Sequence, residues 1–239
     1  GDCIGSCLAL GQYLRKNYPE LEITVYAGDF QDSFRFLEGA SLLVQDFSED
    51  KSFDVFFALD CGDEDRLGDA VKYFKHAGKT ICVDHHISNR GMAMVDLIEP
   101  EASSTCELVY QLMDPERIDR PIAEALYMGM VHDTGVFQYS NTTERTMRIA
   151  GELMTKGIDY SRIVDDTFYV KTYAQNQILG KALLESMRVM DGRVIYSVVR
   201  LKEMKFYNVT HKDLDGIVQQ LRMTRGVEAA IFLSETGLQ

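Results

Sequence analysis

The 239 residues include 25 Lys and Arg against 37 Asp and Glu, a formal net charge of −12 at pH 7, with 46% hydrophobic and 26% charged residues. That is a globular composition with room for one large domain, or one complete domain and a smaller one, and it excludes a disulfide-stapled miniprotein. The acidic balance argues against long duplex nucleic acid as a partner, which a basic stripe would signal, and no uncharged apolar run approaches the ~20 residues that cross a bilayer.

Taken in chain order, Ser6–Asn17 reads as the first helix, with Leu8, Leu10, Tyr13 and Leu14 as its apolar stripe. Leu21–Ala27, Val55–Leu59 and Thr80–Val83 read as strands, and Glu64–His76 as a helix between the last two. Strands alternating with helices predict an α/β fold, with right-handed crossovers and a mainly parallel sheet covered by helices on both faces. Helices are expected at Ser103–Met113, at Pro121–Val131 with Pro near its first turn, and at Thr143–Lys156 with Gly157 as its stop. Tyr173–Met190 reads as a longer linker helix and Arg193–Leu201 as a β-rich run. The resulting division is a first domain over 1–172, a linker helix over 173–190 and a second α/β domain over 191–239. Five cysteines, Cys3, Cys7, Cys61, Cys82 and Cys106, lie in apolar segments without a C-x-x-C pair, and read as reduced, mostly buried thiols. With no basic-then-apolar N-terminal order, a cytoplasmic protein is expected.

Parallel sheets gather ligands at the carboxyl ends of their strands. Val55–Leu59 ends at Asp60, and Thr80–Val83 ends at Asp84-His85-His86. Asp2 precedes the first helix, and Pro121–Val131 runs into His132-Asp133-Thr134-Gly135. Each residue alone has an ordinary reading as a cap, a turn residue or a solvated carboxylate. Together they would converge on one edge of the sheet, where carboxylates repel one another unless cations lie between them. Asp and His donors without Cys suit a divalent ion such as Mn²⁺ better than a thiolate zinc site.

Asp84-His85-His86 after an apolar strand resembles the signature of the DHH phosphoesterase superfamily. Other motifs of that family appear in order: GDCIGS (Gly1–Ser6), the strand-end Asp60, and HDTGVF (His132–Phe137) followed by Ser140-Asn141. EASST (Glu101–Thr105) and the linker helix resemble the branch with a DHHA1-type second domain, and within it the bifunctional oligoribonucleases that dephosphorylate 3′-phosphoadenosine 5′-phosphate. The resemblance implies hydrolysis of short oligoribonucleotides or small phosphorylated nucleotides by hydroxide attacking in line, with two Mn²⁺ ions and Asp60 bridging both. It assigns Asp2, Asp60, His85 and Asp133 to metal, Asp84 to orienting an imidazole, His86 to the scissile phosphate, and Ser6 and Ser104 to substrate. Gly5 and Ser6 would offer N–H groups at a helix start. His76 and His211 match no motif and read as surface residues, and His132 as pointing into helix packing. A homodimer is compatible with this reading.

The family's first motif begins with a His and an Asp that would precede Gly1, so one metal site is expected to be incomplete, and the glycine-rich loop that closes DHHA1 domains would follow Gln239. The chain therefore reads as a fragment. Rival readings are a phosphodiesterase for cyclic dinucleotides or their linear products, an inorganic pyrophosphatase, and a regulatory module that holds a nucleotide without cleaving it.

Overall fold

The computed structural model describes residues 1–30 and 32–237. Leu238 and Gln239, the end of the second domain read from sequence, lie outside the described residues. The chain divides into two compact units, Gly1–Tyr169 and Val170–Gln239. No helix among the described residues is long and apolar enough to cross a membrane.

The first unit runs α1 (Asp2–Asn17), β1 (Val25–Tyr26), β2 (Leu43–Val44), β3 (Val55–Leu59), α2 (Val71–His76), β4 (Lys79–Asp84), β5 (Val95–Ile98), α3 (Thr105–Gln111), α4 (Arg120–Asp133), α5 (Glu144–Met154) and α6 (Tyr160–Val164). β3, β4 and β5 form a parallel sheet in that order, and β1 pairs with β2 in a separate parallel ribbon. Strand alternation sends Phe57, Leu59, Ile81 and Val83 into the main core with α1, α3 and α4. The opposite parity, Phe56, Ala58 and Cys82, packs on Phe74 of α2 and on Leu67, so apolar side chains cover both faces of the sheet.

Several elements differ from the sequence reading. The first helix begins at Asp2 rather than Ser6, with Gly1 as its N-cap, so Asp2 lies in the first helical turn where a carboxylate complements the helix dipole. Only Val25–Tyr26 of the strand read over Leu21–Ala27 pairs, because its partner β2 is equally short. Gly68, at φ 52° and ψ −132°, breaks the helix read over Glu64–His76 into a 3-10 turn followed by α2. β5 escaped the periodicity because it is short and carries Asp96.

In the second unit α7 (Tyr173–Leu184) is followed by β6 (Met187–Val189), β7 (Val194–Val199), α8 (Leu201–Tyr207), α9 (Ile217–Arg222) and β8 (Ala229–Ser234). The helix read through Met190 stops at Leu184, and Met187–Val189 pairs antiparallel with β7. Met190, Asp191 and Gly192 all take positive φ and form the hairpin turn. Ile178 and Ala182 of α7 join Ile195, Val199, Ile217 and Leu221 in a core of their own.

The feature of the first unit that most directly places the site is the crossing of α1 and α4. A Cβ on Gly129 would lie 2.2 Å from Cys106 Sγ and 3.1 Å from Asp2 Oδ1, and one on Gly5 would lie 2.5 Å from the Ala125 carbonyl oxygen. Two glycines therefore let the backbones approach until Asp2 and Asp133 share one end of the helix pair. Gly129→Ala should lower the melting temperature, because overpacking costs about 1–3 kcal/mol and outweighs the helix-propensity gain of about 1 kcal/mol. Gly151→Ala on α5, where nothing lies within 4 Å of the added methyl, should instead raise it. Thermal melts of both variants check this, and equal shifts would contradict the close-approach account.

Candidate metal centre

Asp60 follows β3 directly and adopts φ 59°, a left-handed conformation that Asp tolerates better than most residues. Asp84 ends β4, and His85 and His86 leave the strand beside it. Asp133 closes α4, where the Val136 N–H reaches back 2.8 Å to the Val131 carbonyl and the next residues, Gly135, Val136 and Phe137, are all left-handed. That abrupt stop, tied by Phe137 N–H to Thr134 Oγ1 at 2.9 Å, keeps Asp133 at the helix end.

The four residues assigned to metal meet around one imidazole. His85 Nε2 lies 3.7 Å from Asp2 Oδ2, 3.7 Å from Asp60 Oδ1 and 3.2 Å from Asp133 Oδ2. His85 Nδ1 lies 3.2 Å from the Ala102 carbonyl. A carbonyl accepts only, so Nδ1 donates to it and Nε2 is the nitrogen turned toward the carboxylates. That buried Nε2 has no hydrogen-bond partner.

Asp2 is itself held by α3, whose first residues donate Thr105 N–H at 2.6 Å and Cys106 N–H at 2.9 Å to its two oxygens. An anion at a helix N-terminus is a stabilising arrangement. Thr105 Oγ1 donates to Asp60 Oδ1 at 3.3 Å. Burial, and next the Asp2 carboxylate, push Asp60 up to about 9. Burial and then Asp2 also raise Asp133, against the pull of His85 and His86.

A cation resolves this conflict. Donors about 2.1 Å from a common ion and adjacent in its shell stand roughly 3.0–3.5 Å apart, close to the separations around Nε2. Two donor groups compatible with an ion occur among the described residues, Asp2-His85-Asp133 and Asp60-His85-His86, sharing His85. Of the neighbouring thiols, Cys106 is held well above its usual value by burial and then by Asp2, and Cys61 is raised by burial and then by Cys3, whereas the hydrogen bond with Cys7 lowers Cys3. All five cysteines are free. The donor set present fits a divalent ion that accepts oxygen and imidazole.

Asp84 stands behind the group. It is wholly buried, its Oδ1 lies 2.6 Å from His86 Nδ1, and its Oδ2 accepts from Asn89 Nδ2 at 2.7 Å. Burial acts to raise its carboxyl, but the hydrogen bonds from His86 and Asn89 outweigh it and hold Asp84 below the usual carboxylate range. His86 thus donates from Nδ1 and keeps Nε2 for another partner.

The two serines lie deeper. Ser6 is fully buried and its hydroxyl donates to the Cys3 carbonyl at 3.1 Å, while the fully buried Ser104 caps α3 by accepting the Glu107 N–H at 3.1 Å. The Gly5 N–H is used by the Gly1 carbonyl at 2.9 Å, since α1 begins earlier than read. His132 turns from the carboxylates, with Nε2 2.9 Å from Thr167 Oγ1 and its ring against Phe34 and Phe168. His76 and His211 are exposed. Sequence reasoning missed Asn89, Ala102 and Thr105; the helix-start pattern Ser104-x-x-Glu107 was the available signal for the last.

Three comparisons bear on this site. The family model described as DHH family, N-terminal domain, matches residues 1–130. The Bacillus subtilis protein named bifunctional oligoribonuclease and PAP phosphatase NrnA is 23% identical over 98% of this chain and 74% of its own length. The protein of that name from Thermus thermophilus is 27% identical over 98% of this chain and 68% of its own. In structure, an exopolyphosphatase-related protein from Bacteroides fragilis superposes with a TM-score of 0.86 at 24% identity, over 95% of this chain and 70% of that one, which shows a shared fold.

A carboxyl raised in the folded state holds its proton more tightly there than in the unfolded chain. Asp60 therefore makes the metal-free fold less stable as pH rises from about 4, the ordinary value, toward about 9. Asp133 acts in the same direction, whereas Asp84 acts oppositely and only at lower pH. Between about pH 5 and 8 the metal-free melting temperature should fall, and the increase produced by saturating Mn²⁺ should grow, because the ion competes with the Asp60 proton. Calorimetric melts across that range check this; an increase independent of pH would contradict it.

Proposed function

This chain belongs to the DHH family, and from that membership we propose that it is a metal-dependent phosphoesterase acting on short oligoribonucleotides and on 3′-phosphoadenosine 5′-phosphate, with Mn²⁺ as its ion. The observation that carries the reading is His85 Nε2, a buried nitrogen without a hydrogen-bond partner, facing the carboxylates of Asp2, Asp60 and Asp133. The names of the relatives support the substrate class.

Asp2, Asp60, His85 and Asp133 would hold the metal. When bound, divalent ions supply Lewis-acid neutralisation of phosphate charge and activation of water as the nucleophile. Asp84 fixes the His86 ring through Nδ1, so that Nε2 donates a hydrogen bond to a phosphate oxygen as negative charge builds on it. Asn89, which donates to both Asp84 and the Cys61 carbonyl, keeps that pair from rotating. Ser104 contributes by capping α3, which keeps the N–H groups on Asp2 aligned, and Ser6 by tying down the first turns of α1. Substrates that are small and anionic agree with the net charge of −12, because attraction then comes from the ions rather than from a basic surface.

The protein carrying this chain, incubated with Mn²⁺, should release mononucleotides from a diribonucleotide and inorganic phosphate from 3′-phosphoadenosine 5′-phosphate. Cleavage of cyclic di-adenylate alone would overturn the substrate assignment in favour of a cyclic-dinucleotide phosphodiesterase. The two histidines should separate. His85→Ala should weaken Mn²⁺ binding and lose activity that excess Mn²⁺ partly restores. His86→Ala should keep Mn²⁺ affinity and lower kcat by about 10²–10⁴-fold, as loss of a proton donor or transition-state hydrogen bond does. Metal titrations beside steady-state assays distinguish them, and equal loss of metal in both variants would refute the division of labour.

A further inference from the structure

Segment 99–107, from the residue after β5 to the first turns of α3, reaches every residue assigned to metal. Its Thr105 and Cys106 N–H groups hold Asp2, and Thr105 Oγ1 holds Asp60. Its Ala102 carbonyl orients His85. Its Ser103 carbonyl accepts from Asn141 Nδ2 at 2.9 Å, and the same nitrogen donates to the Asp133 carbonyl at 3.2 Å. Beyond the Glu99 N–H on the Asp84 carbonyl and the turn bond from the Ala102 N–H to the Glu99 carbonyl, both 3.0 Å, residues 99–104 are irregular.

One side chain of α5 ties the two ends of the segment together. Arg145 Nε donates to Glu107 Oε1 at 2.5 Å, and Arg145 Nη2 to Glu99 Oε1 at 2.8 Å. A planar guanidinium thus joins the two ends of the segment. Glu107 is wholly buried, and its other oxygen takes Ser103 Oγ at 2.6 Å and Thr146 Oγ1 at 2.7 Å. A wholly buried carboxylate is costly unless its lone pairs are satisfied, and here they fasten the middle of the segment as well as its end. Lysine does not reproduce this geometry, because a single Nζ lacks the separate, fixed Nε and Nη2 donors of the guanidinium.

We infer that Arg145 is a positioning residue for the metal centre, closing segment 99–107 through Glu99 and Glu107 and so setting how tightly Asp2, Asp60, His85 and Asp133 take up a divalent ion. This rests on the metal reading above, but neither Arg145 nor either glutamate touches the ion in it.

Mn²⁺ titrations by calorimetry and by electron paramagnetic resonance test the inference on wild type, Glu99→Gln and Arg145→Lys, each with a metal-free melt. Glu99→Gln leaves Glu107 and its three partners in place, so its metal-free melting temperature should stay within about 2 °C of wild type. Its Kd for Mn²⁺ should still rise about tenfold, within the 10–100-fold usual for groups supporting a ligand, with a broadened Mn²⁺ spectrum. Arg145→Lys should weaken binding further. Should Arg145→Lys fail to fold, Glu99→Gln decides alone. Wild-type affinity in Glu99→Gln, or a loss that only follows a fall in melting temperature, overturns the staple while leaving the metal reading intact. A wild type that takes up no Mn²⁺ overturns both.

Discussion

Negative charge gathered around one imidazole nitrogen is the constraint on which the first unit depends. Asp2 and Asp60 are largely withdrawn from water, and His85 Nε2 faces both of them and Asp133 with no hydrogen-bond partner. Burial first, and then the Asp2 carboxylate, favour the protonated form of Asp60 and push it up to about 9. A divalent ion resolves the same conflict without neutralising the carboxylates, and leaves them as ligands. The fold is built so that the second solution is available.

Each structural layer contributes one part of that arrangement. The parallel strands β3 and β4 end side by side, which brings Asp60 next to Asp84, His85 and His86. The glycine-mediated crossing of α1 and α4 brings Asp2 and Asp133 to the same edge from the helical layer. The N-terminus of α3 then supplies the N–H groups that compensate Asp2 without competing for its charge. Behind His86, the Asp84 and Asn89 pair holds the imidazole by its Nδ1 and leaves Nε2 open.

How much of this could be read in the sequence depended on the kind of signal. Asp60 and Asp84-His85-His86 were readable because each terminates an apolar β run, and parallel-sheet geometry alone brings strand ends together. Asp133 was readable from the end of an apolar helix. The start of α1 was misplaced because Asp2, Cys3 and Gly5 interrupt its apolar stripe, and Gly5 is there for close packing rather than for a turn. Glu107 was legible only as part of the Ser104-x-x-Glu107 helix start, and Arg145 left no trace, since a single Arg among the charges of α5 has no periodicity. Only their meeting in space distinguishes them. The Met190-Asp191-Gly192 turn was seen as a break, but pairing of Met187–Val189 with β7 depends on a tertiary contact that no local pattern encodes.

The measurement that bears most directly on the central claim is anomalous scattering from a crystal of the protein soaked in Mn²⁺, recorded on both sides of the manganese absorption edge. The account predicts a difference peak between His85 Nε2 and the carboxylates of Asp2, Asp60 and Asp133. Strong peaks confined to surface carboxylates, with none at His85, would contradict it.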